Sequence, residues 1–94
     1  MGSRRSNYDW NREELGKVHW LCVENRFGDT LESTILPAGT DLIRALIRAL
    51  ARWSDDGWAV ESFNSNSSSF FCNRDGERRF IHIRPTDPGK LSRL

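Results

Sequence analysis

The sequence predicts an α+β fold. It reads as a two-layer sandwich in the order ββαβββ, a five-stranded, mainly antiparallel sheet with one helix packed on one face. Three observations predict it. Thr40 to Trp53 is the only long stretch whose apolar residues recur at the period of a helix. Five shorter runs carry β-branched and aromatic residues at the period of a strand. The runs before the helix, and those after it, are joined by turns short enough to make neighbours antiparallel.

Size limits the answer further. A chain of 94 residues supports one hydrophobic core, so we expect a single domain over 17–85, a flexible N-terminal arm over 1–16 and a frayed C-terminal tail over 86–94. Only 37% of residues are apolar, but four Trp and five Phe bury much area per residue and make a small core sufficient. In the arm, Tyr8 and Trp10 are expected to dock on the domain or on a partner. Met1-Gly2-Ser3 has the composition of a cloning scar, and Gly2 to Ser6 also fits the short N-myristoylation pattern.

The first strand is expected over Lys17 to Asn25. Val18, Trp20 and Cys22 share one face and His19, Leu21 and Val23 the other. Two apolar faces belong to an interior strand. Arg26-Phe27-Gly28-Asp29 is a turn, with Gly28 supplying positive φ. Thr30 to Leu36 alternates polar and apolar residues, as a strand near an edge does, and Pro37 ends its ladder.

Thr40 is the expected N-cap of the helix, with Asp41 complementing its dipole. Leu42, Ile43, Leu46, Ile47, Leu50 and Trp53 form the apolar arc. At about 1.5–3 kcal/mol per buried side chain, they supply on the order of 10 kcal/mol of gross burial, so this helix must pack on the sheet. Ser54 to Gly57 stops it. Trp58 to Asn64 is the third strand, and a polar loop through the Asn and Ser residues follows. Ser69 to Asn73 is the fourth strand. An Asp75-Gly76 turn leads into the fifth, Arg78 to Arg84, which Pro85 ends. The opening hairpin, proline and helix resemble ubiquitin-like β-grasp domains. The closing meander departs from them, because their last strand runs parallel to the first.

One helix cannot cover both faces of such a sheet, and Phe70 and Phe71 cannot both point at it. Spare apolar surface on the open face implies association. A symmetric homodimer is the simplest way to bury it, and coverage by the aromatic arm is the alternative.

The residues exclude several function classes. Net charge is +1, from 14 basic and 13 acidic residues, so the surface as a whole is no phosphate magnet. His19, Cys22, Cys72 and His82 lack metal-ligand spacing, and both cysteines lie in apolar runs that keep a thiol protonated. No phosphate-binding, dinucleotide-binding or nucleophile-elbow motif is present. We therefore expect no catalysis, no cofactor, no metal and no small-molecule substrate. No apolar stretch approaches a membrane span, and two cysteines far apart in apolar runs read as buried thiols of a reducing, cytoplasmic setting, with a single disulfide between neighbouring strands as the alternative.

What remains is a small non-catalytic binding or regulatory module acting through protein–protein contacts, with itself or another protein as partner. The alternative is a nucleic-acid-binding accessory protein. Arg44, Arg48 and Arg52 make a cationic stripe along the helix, and Arg74, Arg78 and Arg79 a second cluster on the last hairpin near Phe70 and Phe71. Arginine beside aromatics serves single-strand binding. It serves protein contacts equally, and a solvated helix face with charged hairpin residues is the plainer account of both groups.

Overall fold

The first hairpin consists of β1 (His19–Asn25) and β2 (Thr30–Leu36). The helix, α1, spans Leu42–Asp55, and β3 (Ala59–Asn64), β4 (Ser69–Arg74) and β5 (Glu77–Arg84) follow. These elements come from a computed structural model that describes residues 16–85. The expectations for Tyr8, Trp10, the acylation pattern and the C-terminal tail lie outside the described residues.

The five strands form one sheet in the order β2-β1-β5-β4-β3, with every neighbouring pair antiparallel. The small α+β sandwich is therefore as expected. Strand β1, apolar on both faces, lies inside, and the half-polar β2 lies at an edge. Resemblance to the β-grasp ends at β5, which runs antiparallel to β1.

α1 connects the two outermost strands, so it must cross the whole sheet. Fourteen residues make a helix of about 21 Å, and five strands at about 4.8 Å spacing are about 19 Å wide. The helix length matches the width it has to cross. It packs most closely on β3, β4 and β5. Val23, Leu46, Ala49, Trp58, Phe70, Cys72 and Ile81 form the core, with Leu21, Leu50, Trp53, Val60 and Ile83 against it. Trp53 and Trp58 meet edge to face at 5.0 Å, which ties the end of α1 to the start of β3.

Several local expectations need correction. The N-cap is Asp41, one residue later than predicted. Its Oδ1 accepts from the Arg44 amide at 3.1 Å, while the Thr40 hydroxyl donates to the Pro37 carbonyl at 2.6 Å and closes the preceding turn. An aspartate in the capping position brings a full charge to the helix dipole, which a hydroxyl does not. The helix runs on to Asp55, with Asp56 as C-cap and Gly57 at φ 92° beyond it. β1 begins at His19, two residues late. β5 begins at Glu77, because Asp75 and Gly76 both take positive φ and make a two-residue turn.

The apolar arc is also turned from its predicted centre. Leu42, Leu46 and Ala49 are its buried residues, whereas Ile47 is 51% exposed. A small Ala49 lets the helix sit close to the sheet on that side, which swings Ile47 outward. Phe70 and Phe71 divide between the two faces as expected. Phe70 is 0% exposed in the core, so it is no part of a surface, and its place among the candidate contact residues is withdrawn.

Candidate functional site

Register assigns the face of the sheet away from α1. Cys22 lies opposite His82, Glu24 opposite Phe80, and Trp20 opposite Arg84. Phe71 lies opposite Phe80, and Ser69 opposite His82. Rings on this face stack on one another. The Phe71 and Phe80 centroids are 4.7 Å apart, and those of Phe80 and His82 are 4.5 Å apart. The Arg78 guanidinium stands over Phe71 at 4.3 Å. At the other end His82 Nε2 and the Glu24 carboxylate are 2.7 Å apart. Ring faces used against each other are not laid flat for a ligand to stack on. The open face is thus a half-buried aromatic column ending in a hydrogen-bonded His–Glu pair. Ile35, 57% exposed on β2, lies opposite Trp20 on this face.

Two turns meet at one end of the sheet. Asn25 lies opposite Arg79, which places the β1–β2 turn beside the β4–β5 turn. The first is held rigidly. The Asn25 side-chain oxygen accepts from the amides of Phe27 at 2.9 Å and Asp29 at 3.0 Å, and the Asn25 amide donates to the Asp29 carbonyl at 3.0 Å. Gly28 supplies φ 88°. Phe27 stands on this turn 75% exposed, with the Arg26 guanidinium 5.1 Å from its ring centre.

The arginines at this end divide by their partners. Arg74 donates to the Asp56 carbonyl at 2.7 Å and pairs with its carboxylate at 3.2 Å. Arg79 pairs with Glu77 at 2.9 Å. Both lie over Trp58, at 4.6 and 5.3 Å, so they cover a core residue. Arg26 and Arg78 have no ion pair among the described residues. They line one concavity of about 250 Å³ together with Glu24, Phe71 and Phe80.

The helix stripe is a separate surface. Arg44 pairs with Asp41 at 3.8 Å. Arg48 and Arg52 line a groove of about 350 Å³ between α1 and the first hairpin, floored by Leu21, Val23, Thr34 and Leu36. The structure therefore does not gather the six candidate arginines together. Arg78 and Phe71 meet, Arg74 and Arg79 cover Trp58, Arg48 and Arg52 line another hollow, and Arg44 pairs with Asp41. In the sequence, Arg26 and Phe27 stand out only as turn residues. An aromatic beside an arginine at a glycine turn was the available signal.

Neither cysteine is in a disulfide, and both are fully buried. They sit on opposite faces, on strands separated by β5, so no disulfide joins them. Burial pushes the Cys72 thiol up to about 11, and the nearby Arg79 charge opposes that rise only in part. Such a thiol is no nucleophile near neutral pH. Among the described residues no three His, Cys, Asp or Glu side chains are grouped to hold a metal, and no helix is long and apolar enough to cross a membrane. No family model, curated protein or solved structure matches the chain.

Proposed function

We propose that this chain is a small non-catalytic binding module acting through protein–protein contact, with the end formed by its two hairpin turns as the contact surface. One observation carries the reading. Phe27 is three-quarters exposed, at 75%, on a turn whose backbone is tied down by Asn25. Displaying a large apolar ring in water is unfavourable unless something covers it. Holding it still reduces the ordering cost of binding. Aromatic and arginine side chains are also the usual energetic centres of protein interfaces, and Arg26, Arg78 and Leu31 line hollows at this end. The partner is another protein or a second copy of this chain. Two buried cysteines outside any disulfide support a cytoplasmic setting.

Phe27→Ala tests the reading. The fold should survive, since the ring packs on little, while affinity for a partner captured by the wild-type chain should fall about 30-fold, the scale of an interface hot spot. Unchanged affinity would remove this end from the contact surface. Nucleic-acid binding is the second reading, supported by Arg48 and Arg52, which are exposed and have no carboxylate partner among the described residues. It predicts a gel shift of single- or double-stranded DNA or RNA at low salt that disappears as salt rises. No shift at low salt would eliminate it.

A further inference from the structure

We infer that the hollow between the two turns receives an acidic side chain of the protein partner, held between Arg26 and Arg78. The inference rests on reading this end as a protein-contact surface. The charges around the hollow support it. Its lining holds Arg26, Arg78, Arg79 and Glu24, and the adjoining hollow adds Glu77. Both carboxylates are already engaged, Glu24 by His82 at 2.7 Å and Glu77 by Arg79 at 2.9 Å. Asp29 and Asp75 lie in the same turns but line neither hollow. Among the described residues neither Arg26 nor Arg78 has a carboxylate within ion-pair distance, and they border the same space.

Their posture fits a carboxylate. Arg26 stands over Phe27 at 5.1 Å and Arg78 over Phe71 at 4.3 Å. A guanidinium stacked on a ring keeps its N–H groups at its edge, free for bidentate bonds to an acid. Phe71, Phe80 and Leu31 then offer apolar contact to a residue beside that acid. A carboxylate flanked by an aromatic or aliphatic side chain is the matching chemistry.

The test uses the full chain labelled with 15N and three terminally blocked peptides: Glu-Trp-Glu, Gln-Trp-Gln and Lys-Trp-Lys. Each is titrated to about 5 mM, enough to register weak single-site binding, alongside a ten-nucleotide thymidine oligomer. The acidic peptide should shift the amides of Gly28, Arg78, Arg79 and Phe80, about tenfold more tightly than the neutral one, and the basic peptide should not. Arg26→Gln with Arg78→Gln should abolish those shifts. Arg48→Gln with Arg52→Gln, which removes the same charge elsewhere, should not. The double Gln change keeps side-chain length, and dispersion of the spectrum reports whether the fold persists. Equal binding of the neutral peptide would overturn the acidic preference. So would shifts that survive Arg26→Gln/Arg78→Gln, an oligonucleotide that moves these amides where no peptide does, or no shift with any peptide. If Phe27→Ala still releases the captured protein in these cases, the contact-surface reading stands. If it does not, both fall.

Discussion

Single residues hold this fold at sites where local chemistry leaves few alternatives. Gly28 sits at φ 88° with nothing within 4 Å of where a Cβ would stand. Gly28→Ala should therefore cost about 1 kcal/mol, purely conformational, read from denaturant unfolding. Asp41→Ala should cost about 1 kcal/mol by freeing the Arg44 amide, and Thr40→Ala less. The reverse ranking would restore Thr40 as the cap. Cys72 makes stability depend on alkaline pH. Its thiol ionises near 9.0 when unfolded and near 11 when folded, so between those values the native state keeps a proton that the unfolded chain loses. The contribution is fully present below about pH 9 and is lost as pH rises through 11. Unfolding free energy should fall across this window and fall less steeply in Cys72→Ala.

At the scale of elements, the helix gives the sharpest contrast. Leu46 and Ile47 are neighbours in sequence with equal claim to the apolar arc. Leu46 is 0% exposed and Ile47 51%. Leu46→Ala should cost about 2–5 kcal/mol, and Ile47→Ala should stay within about 0.5 kcal/mol. Equal costs would mean that the helix is rotated differently on the sheet. Replacing Arg44, Arg48 and Arg52 together by Ala should leave the circular-dichroism spectrum and cooperative unfolding intact, because all three are exposed and Ala is the better helix former. Unfolding would show that the stripe belongs to a packed face.

For the whole molecule, topology makes the working surface. A helix running from one edge strand to the other covers a single face, and antiparallel neighbours bring the β1–β2 and β4–β5 turns to one end. Arg26 and Arg78, 52 positions apart in the chain, meet only through that arrangement. The half-polar open face, with the Glu24–His82 pair at its centre, offers less apolar area for self-association than two bare aromatic strands would. If the partner is a second copy, a homodimer should appear in sedimentation equilibrium at tens of micromolar, a concentration that populates contacts of ordinary affinity. Sedimentation as a monomer throughout would leave a different protein as the partner.

Much was legible in the residues alone, wherever a signal is local or periodic. The order of elements, the inner place of β1, the edge place of β2 and the split between Phe70 and Phe71 all follow from period, turn chemistry and the need to bury apolar faces. The candidate site was half legible. Arg78 and Phe71 were marked by composition, while Arg26 and Phe27 looked like spacers in a turn. Tertiary structure decided the rest. It rotated α1 about Leu46 and Ala49, neutralised Arg74 with Asp56 and Arg79 with Glu77, and left Arg26 and Arg78 without acids among the described residues. Periodicity counts apolar side chains along one element, whereas exposure and pairing depend on which distant strands pack beside it. Strand pairing alone brings side chains from residues 26, 71, 78 and 80 into one hollow.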